Sequence, residues 1–163
     1  MGHSHVLPPE ERNEPSALAV LQRLLQKAAT RLRHEELLAG ALSVTVKFTN
    51  RTRWKDEMTF GETDDTLEFI HALEAMWERR LKSHAPPIAV GVTLHKLATR
   101  TQVTPSLFTT AENREKLNKA IDKLNARYGR KSAYFGGAHS ALRSAPMRIA
   151  FNHVPDLETE NDD

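Results

Sequence analysis

The fold is decided by Ala41-Leu42-Ser43-Val44-Thr45-Val46-Lys47-Phe48-Thr49-Asn50-Arg51-Thr52-Arg53-Trp54-Lys55-Asp56-Glu57-Met58-Thr59-Phe60. Over residues 41–49 the hydropathy alternates with period two. Leu42, Val44, Val46 and Phe48 point one way; Ser43, Thr45, Lys47 and Thr49 point the other. That is the signature of a strand with one buried face. Asn50 to Thr52 reads as a turn, and a second strand around Trp54 to Phe60 pairs back on the first as a hairpin.

On the N-terminal side, Leu18, Leu21, Leu25, Ala28 and Leu32 recur at three and four residues, one apolar stripe of a helix. Asn13 or Ser16 can cap it, and Gln22, Arg23, Gln26, Lys27, Thr30 and Arg33 take its solvent side. Residues 1–15, with Pro8-Pro9 and Pro15, read as an extended linker.

On the C-terminal side, Thr63-Asp64-Asp65 starts a second helix with a stripe of Leu67, Ile70, Leu73, Met76/Trp77 and Leu81, stopped by Pro86-Pro87. A third strand follows, with Ile88, Val90, Val92 and Leu94 inward and Ala89, Gly91, Thr93 and His95 outward. Residues 99–110 read as a polar loop with a hydrophobic tip, Leu107-Phe108. Thr109 and Glu112 can form a capping box for a third helix. Its buried stripe is expected to be Leu117, Ile121, Leu124 and Tyr128, with Gly129 as C-terminal cap. A short extended piece over 132–135 ends at Gly136-Gly137. Met147, Ile149 and Phe151 alternate in a last strand, with Arg148 and Asn152 outward.

Helices with one apolar stripe each must cover one face of a sheet. The expected fold is α+β: a four-stranded, mostly antiparallel sheet with helices packed on one face, plus a C-terminal helix and strand. The expected organisation is a linker over 1–15, a folded domain over 16–155 and a disordered acidic tail over 156–163. The uncovered sheet face then carries Ser43, Thr45, Lys47, Thr49, Arg53, Lys55, Thr93, His95, Arg148 and Asn152. Small hydroxyl side chains and bases on an open sheet suit phosphate oxygens, although a solvated face needs no ligand at all.

Charge points the same way. The 163 residues have a net charge of +2, but five of the 21 acids fall within 156–163, leaving 23 bases against 16 acids in the rest. A basic body of about +7 fits a polyanion partner. No apolar run approaches the roughly 18 residues of a membrane span, and the N-terminus lacks the regions of a signal peptide. The absence of cysteine excludes disulfides, thiolate zinc sites and thiol catalysis, and fits a reducing cytoplasm.

No catalytic constellation emerges. Asp64-Asp65 and Glu35-Glu36 are adjacent acids at helix ends, where side chains about 100° apart make poor metal clamps and capping explains the acids. His3-x-His5 has no third or fourth ligand at metal spacing. No nucleophile elbow or phosphate-cradling glycine loop occurs. The chain is expected to bind and position, with no cofactor of its own.

Three segments carry a family resemblance. Gly2-His3-Ser4-His5-Val6-Leu7-Pro8-Pro9-Glu10 resembles the tether before the little finger in bacterial UmuC/DinB-type (Y-family) translesion DNA polymerases. Lys119-Ala120-Ile121-Asp122-Lys123-Leu124-Asn125-Ala126-Arg127-Tyr128-Gly129 is similar to a segment near the end of UmuC-type proteins. Gln102-Val103-Thr104-Pro105-Ser106-Leu107-Phe108 resembles that family's sliding-clamp-binding peptide, with Pro105 where the motif often has leucine.

The resemblance implies a monomeric little finger that lays its sheet in the DNA major groove and holds primer-template duplex by its phosphates. It implies that synthesis past lesions, and the Mg2+ it uses, belong to palm carboxylates upstream, so that the chain starts at the tether of a longer protein behind an added Met1, or else is a stand-alone domain. The residues it nominates for DNA are Ser4, Lys47, Arg51, Arg53, Lys55, Thr93, His95, Lys96 and Arg148. For the clamp they are Gln102, Leu107 and Phe108.

Three rivals stand beside this reading. A single-stranded nucleic-acid module would stack bases on outward aromatics, and the outward positions of the first and third strands hold none. An enzyme could use His3, His5 or His95 in a pocket between linker and sheet. A protein-interaction domain could work through 102–108 alone.

Overall fold

A computed structural model of the chain describes residues 1–100, 109–129 and 132–141. Four strands form one antiparallel sheet: β1 (Gly2–Val6), β2 (Leu37–Phe48), β3 (Arg53–Thr63) and β4 (Pro87–Thr99), in the order β1-β4-β2-β3. The hairpin predicted over 41–60 is β2–β3. Its turn is closed by the Asn50 carboxamide oxygen, which accepts from the Thr52 amide at 3.1 Å and the Thr52 hydroxyl at 2.6 Å. The fold is the expected α+β class, but its fourth strand corrects an expectation. The segment read as an extended linker contains β1, which pairs Gly2 with Thr93 through Val6 with Ala89. The last strand over 147–151 and the acidic tail lie outside the described residues.

Helix α1 (Glu14–His34) begins at Asn13, whose side chain accepts from the Ser16 amide at 2.9 Å. Pro15 sits in its first turn, and Arg31, Arg33 and His34 meet the negative C-terminal end. Helix α2 (Thr66–Arg79) is capped by Asp65. Both helices pack on the same sheet face. The core joins Leu21, Leu25 and Leu32 of α1, Phe69, Leu73 and Met76 of α2, and the inward set of β2 and β4, from Leu42, Val44 and Val46 to Val90, Val92 and Leu94. Leu81, expected in the α2 stripe, is 92% exposed, because the helix ends at Arg79 before reaching it.

Helix α3 (Thr109–Tyr128) and a 3-10 helix over Gly136–Ala141 add a further layer on the helix side. They overturn two expectations. Gln22 and Arg23, assigned to solvent, are buried. Gln26 exchanges two hydrogen bonds with the Phe135 backbone, its carboxamide donating to Phe135 O at 3.3 Å and accepting from Phe135 N at 3.0 Å. Leu117, Leu124 and Tyr128, expected to be buried, are 43%, 45% and 63% exposed. Polar groups dock α3 instead. Arg33 binds both oxygens of Asp122 at 2.6 and 2.9 Å and donates to Thr66 Oγ1 at 2.8 Å. Asp65 accepts from Arg114 at 3.1 Å and from Asn118 at 3.0 Å, and Arg100 bridges Asp64 and Glu115.

Candidate nucleic-acid interface

Register across the four strands assembles the open face row by row. Ser4, Gly91, Thr45 and Lys55 form one row; Val6, Ala89, Lys47 and Arg53 the next; Gly2, Thr93, Ser43 and Glu57 a third. Because residues opposite one another in a ladder share a face, all of these project away from the helices. At about 4.8 Å per strand, each row spans about 14 Å. Gly91 and Ala89 keep the centre low, and a shallow depression between β1 and β4 is bordered by Ser4, Val6, Thr45, Lys47 and Thr93. A Cβ on Gly91 would sit 3.4 Å from Ser4 Cβ.

The cations gather at one corner. Lys47, Arg53 and Lys55 are exposed, and Arg51 extends the group from the turn at φ 64°. The opposite end is less basic. His95 Nε2 lies 3.6 Å from Glu57 Oε2, and the nearest row on that side holds Ala41 and Thr59. The face therefore offers bases at the hairpin corner and hydroxyls with low relief across the middle. That arrangement permits close backbone approach without reading base edges.

Most nominated side chains thus share the face: Ser4, Lys47, Arg53, Lys55, Thr93 and His95, with Arg51 beside them. Lys96 is exposed, but its backbone is left-handed at φ 53° opposite Gly40, so strand alternation does not carry through to it. Arg148, Gln102, Leu107 and Phe108 lie outside the described residues. Alternation through β3 also places Glu57 on this face, which the nominations missed. Asp56 faces the helix side, where the hydrogen bond from Arg79 at 2.7 Å holds its carboxyl below the usual carboxylate range.

The histidines do not form a site. His3 and His5 pair with Val92 and Val90 and so face the helices, whereas His95 faces the open side. Burial, then Lys27 and Arg31, depress the His3 pKa below its ordinary value. Among the described residues, no three His, Asp or Glu side chains are grouped so as to hold a metal ion.

Residues 1–107 match the model of the impB/mucB/samB family C-terminal domain. A DNA polymerase IV of Oceanobacillus iheyensis is 22% identical over 134 residues, covering 79% of this chain and 32% of the relative, so the chain spans about a third of that protein. Among solved structures, a complex of beta-clamp processivity factor and the little finger domain of PolIV aligns at 17% identity over 66% of this chain and 91% of that one, with a TM-score of 0.45. DinB from Sulfolobus solfataricus aligns at 15% identity over 57% of this chain and 27% of that one, with a TM-score of 0.48. With the family model covering residues 1–107, β1 through β4 included, the chain belongs to the impB/mucB/samB family and carries its C-terminal domain, the little finger of UmuC/DinB-type Y-family polymerases.

Proposed function

We propose that the open sheet face grips primer-template duplex through its phosphates, and that this chain is the non-catalytic gripping part of a translesion DNA polymerase. The observation that carries the reading is the register that sets Ser4, Thr45, Thr93, Lys47, Arg53 and Lys55 on one uncovered surface, with the bases at one corner. Such a face supplies affinity without sequence preference, and its binding weakens with salt as counterions are released.

Titration of labelled duplex, primer-template and single-stranded DNA at several salt concentrations tests it. Lys47→Gln with Arg53→Gln and Lys55→Gln is expected to weaken binding to every duplex sequence alike and to flatten the log–log salt dependence by about 2 to 3. A preference for single strands, or a slope unchanged by the triple substitution, defeats the reading.

The polymerase assignment also supports a second contact, with the sliding clamp through Gln102, Leu107 and Phe108. A short apolar plug beside a hydrogen-bonding glutamine is a pocket-filling motif. Leu107→Ala with Phe108→Ala is expected to abolish retention on immobilised clamp while leaving DNA affinity unchanged. Parent chain that never binds clamp removes this part and leaves the DNA reading standing.

A further inference from the structure

Helix α3 lies beyond the residues that match the family model and has three distinct sides. At 100° per residue, Arg114, Asn118, Asp122 and Asn125 fall within an arc of about 80°. Arg114, Asn118 and Asp122 dock on Asp65 and Arg33, and Asn125 exchanges two hydrogen bonds with the Ala133 backbone. Leu117, Ile121, Leu124 and Tyr128 occupy one flank. Lys116, Lys119, Lys123 and Arg127 occupy another arc of about 80° on the outer ridge, centred about 130° from that flank; all four are exposed, and Glu112 shares the arc in the first turn.

The basic arc is built against the helix's own interest. Lys119, Lys123 and Arg127 follow one another at four-residue spacing, where like charges destabilise a helix. Glu115 relieves Lys119 at 2.7 Å, and the Arg127 guanidinium lies 5.3 Å from the Tyr128 ring centre. Lys116 and Lys123 make no ion pair among the described residues. The stripe runs about 16 Å, with bases about 6 Å apart along the axis.

We infer that this outer side of α3 is a second nucleic-acid contact, holding the phosphates of a strand other than the one gripped by the sheet. Its residues share nothing with the sheet face: α3 packs on the helix side, against Thr30 and Arg33 of α1 and the N-terminal cap of α2. The distribution of charge selects phosphates of a strand over a lipid surface. A membrane-seated helix offers its whole apolar face for burial in the interface, whereas here one border of the apolar flank adjoins the docked side, Ile121 is half-buried, and the basic arc is centred about 130° away from that flank. The exposed Tyr128 ring at the C-terminal end adds a surface on which an unpaired base can stack.

The full chain is titrated with a fluorescein-labelled oligothymidine of about 20 nucleotides and with a duplex of about 20 base pairs, from roughly 50 to 300 mM NaCl. The parent is compared with the Lys116→Gln/Lys123→Gln/Arg127→Gln variant and with the sheet variant above. Loss of charge at three exposed positions leaves the fold intact, checked by circular dichroism. The α3 variant is expected to bind single strands several-fold more weakly, with a salt slope smaller by about 2. Independently, oligothymidine is expected to protect Lys116 and Lys123 of the parent from acetylation, read by mass spectrometry.

Parent-like affinity and slope in the α3 variant, together with unprotected lysines, would overturn the inference. So would protection by phosphatidylserine vesicles and not by the oligonucleotide. Loss confined to the sheet variant overturns this contact alone. Loss confined to the α3 variant supports it and defeats the sheet reading. A parent that binds no nucleic acid at the lowest salt defeats both.

Discussion

His3 is a polar side chain in a position that strand pairing assigns to the core side. It sits opposite Val92, faces α1, and its Nε2 is buried without a hydrogen-bond partner among the described residues. Burial first, then the charges of Lys27 and Arg31, favour the neutral imidazole and lower its pKa from the ordinary 6.5. The linkage follows in sign. As pH falls below 6.5, the unfolded chain takes up the proton before the folded one, so the unfolded state binds more protons and stability declines. The contribution is complete above pH 6.5 and is lost as pH falls through the lower folded value. Urea unfolding at pH 7, 6 and 5 is therefore expected to show falling stability in the parent and a flatter profile in His3→Leu. Carboxylates held low by partners, Asp56 by Arg79 and Glu115 by Lys119, act in a more acidic window. Parallel profiles for parent and His3→Leu between pH 7 and 5 would show that His3 titrates alike in both states.

At the scale of elements, β1 and α3 were the two that hydropathy misread, for related reasons. In β1 the inward positions are His3 and His5 and the outward ones Gly2, Ser4 and Val6, so no apolar set marks the buried side. Leu7, fully buried just after the strand, was the one local sign that this segment is pinned down. In α3 the period of Leu117, Ile121, Leu124 and Tyr128 correctly announced a helix but not its docking face. The helix is held by Asp122, Asn118, Arg114 and Glu115, whose partners lie 15 to 92 residues away and leave no periodic trace. The Arg33 side chain is only 10% exposed, so removing its partner leaves a largely desolvated guanidinium. Asp122→Ala is expected to destabilise α3 docking by about 1 to 3 kcal/mol, less than a fully buried pair because Asp122 keeps some solvent contact. Hydrogen exchange checks it: amides of α3 should exchange faster while those of β2 and β4 keep their protection. Unchanged exchange in α3 would mean that contacts other than this pair hold the helix.

Across the whole molecule, the candidate DNA face was legible because one covered side forces period two on β2, β3 and β4, and period two fixes which side chains share a surface. It stops at Lys96, where a left-handed residue interrupts the alternation, and it passed over Glu57, an acid that alternation alone puts beside His95. The same division into a sheet unit and an added layer has a consequence for folding. The core cluster runs through β2, β4, α1 and α2, whereas the side chains described on α3 include a single buried one, Asn118. Hydrophobic burial scales with area removed from water, so α3 belongs to the low-stability end of the molecule and opens before the sheet does. Both tryptophans report on the sheet unit. Trp54 of β3 and Trp77 of α2 meet edge to face at 6.2 Å between centroids, and Arg80, itself paired with Glu14, stacks over Trp77 at 3.9 Å. Far-ultraviolet circular dichroism instead counts all helical residues, including the 20 of α3. In a urea titration the dichroism is expected to fall at lower denaturant than the tryptophan fluorescence, and 1 M NaCl, with a Debye length of about 3 Å, should widen the gap by screening the ion pairs that dock α3. Coincident transitions at both salt concentrations would instead show α3 and the sheet unfolding as one cooperative body.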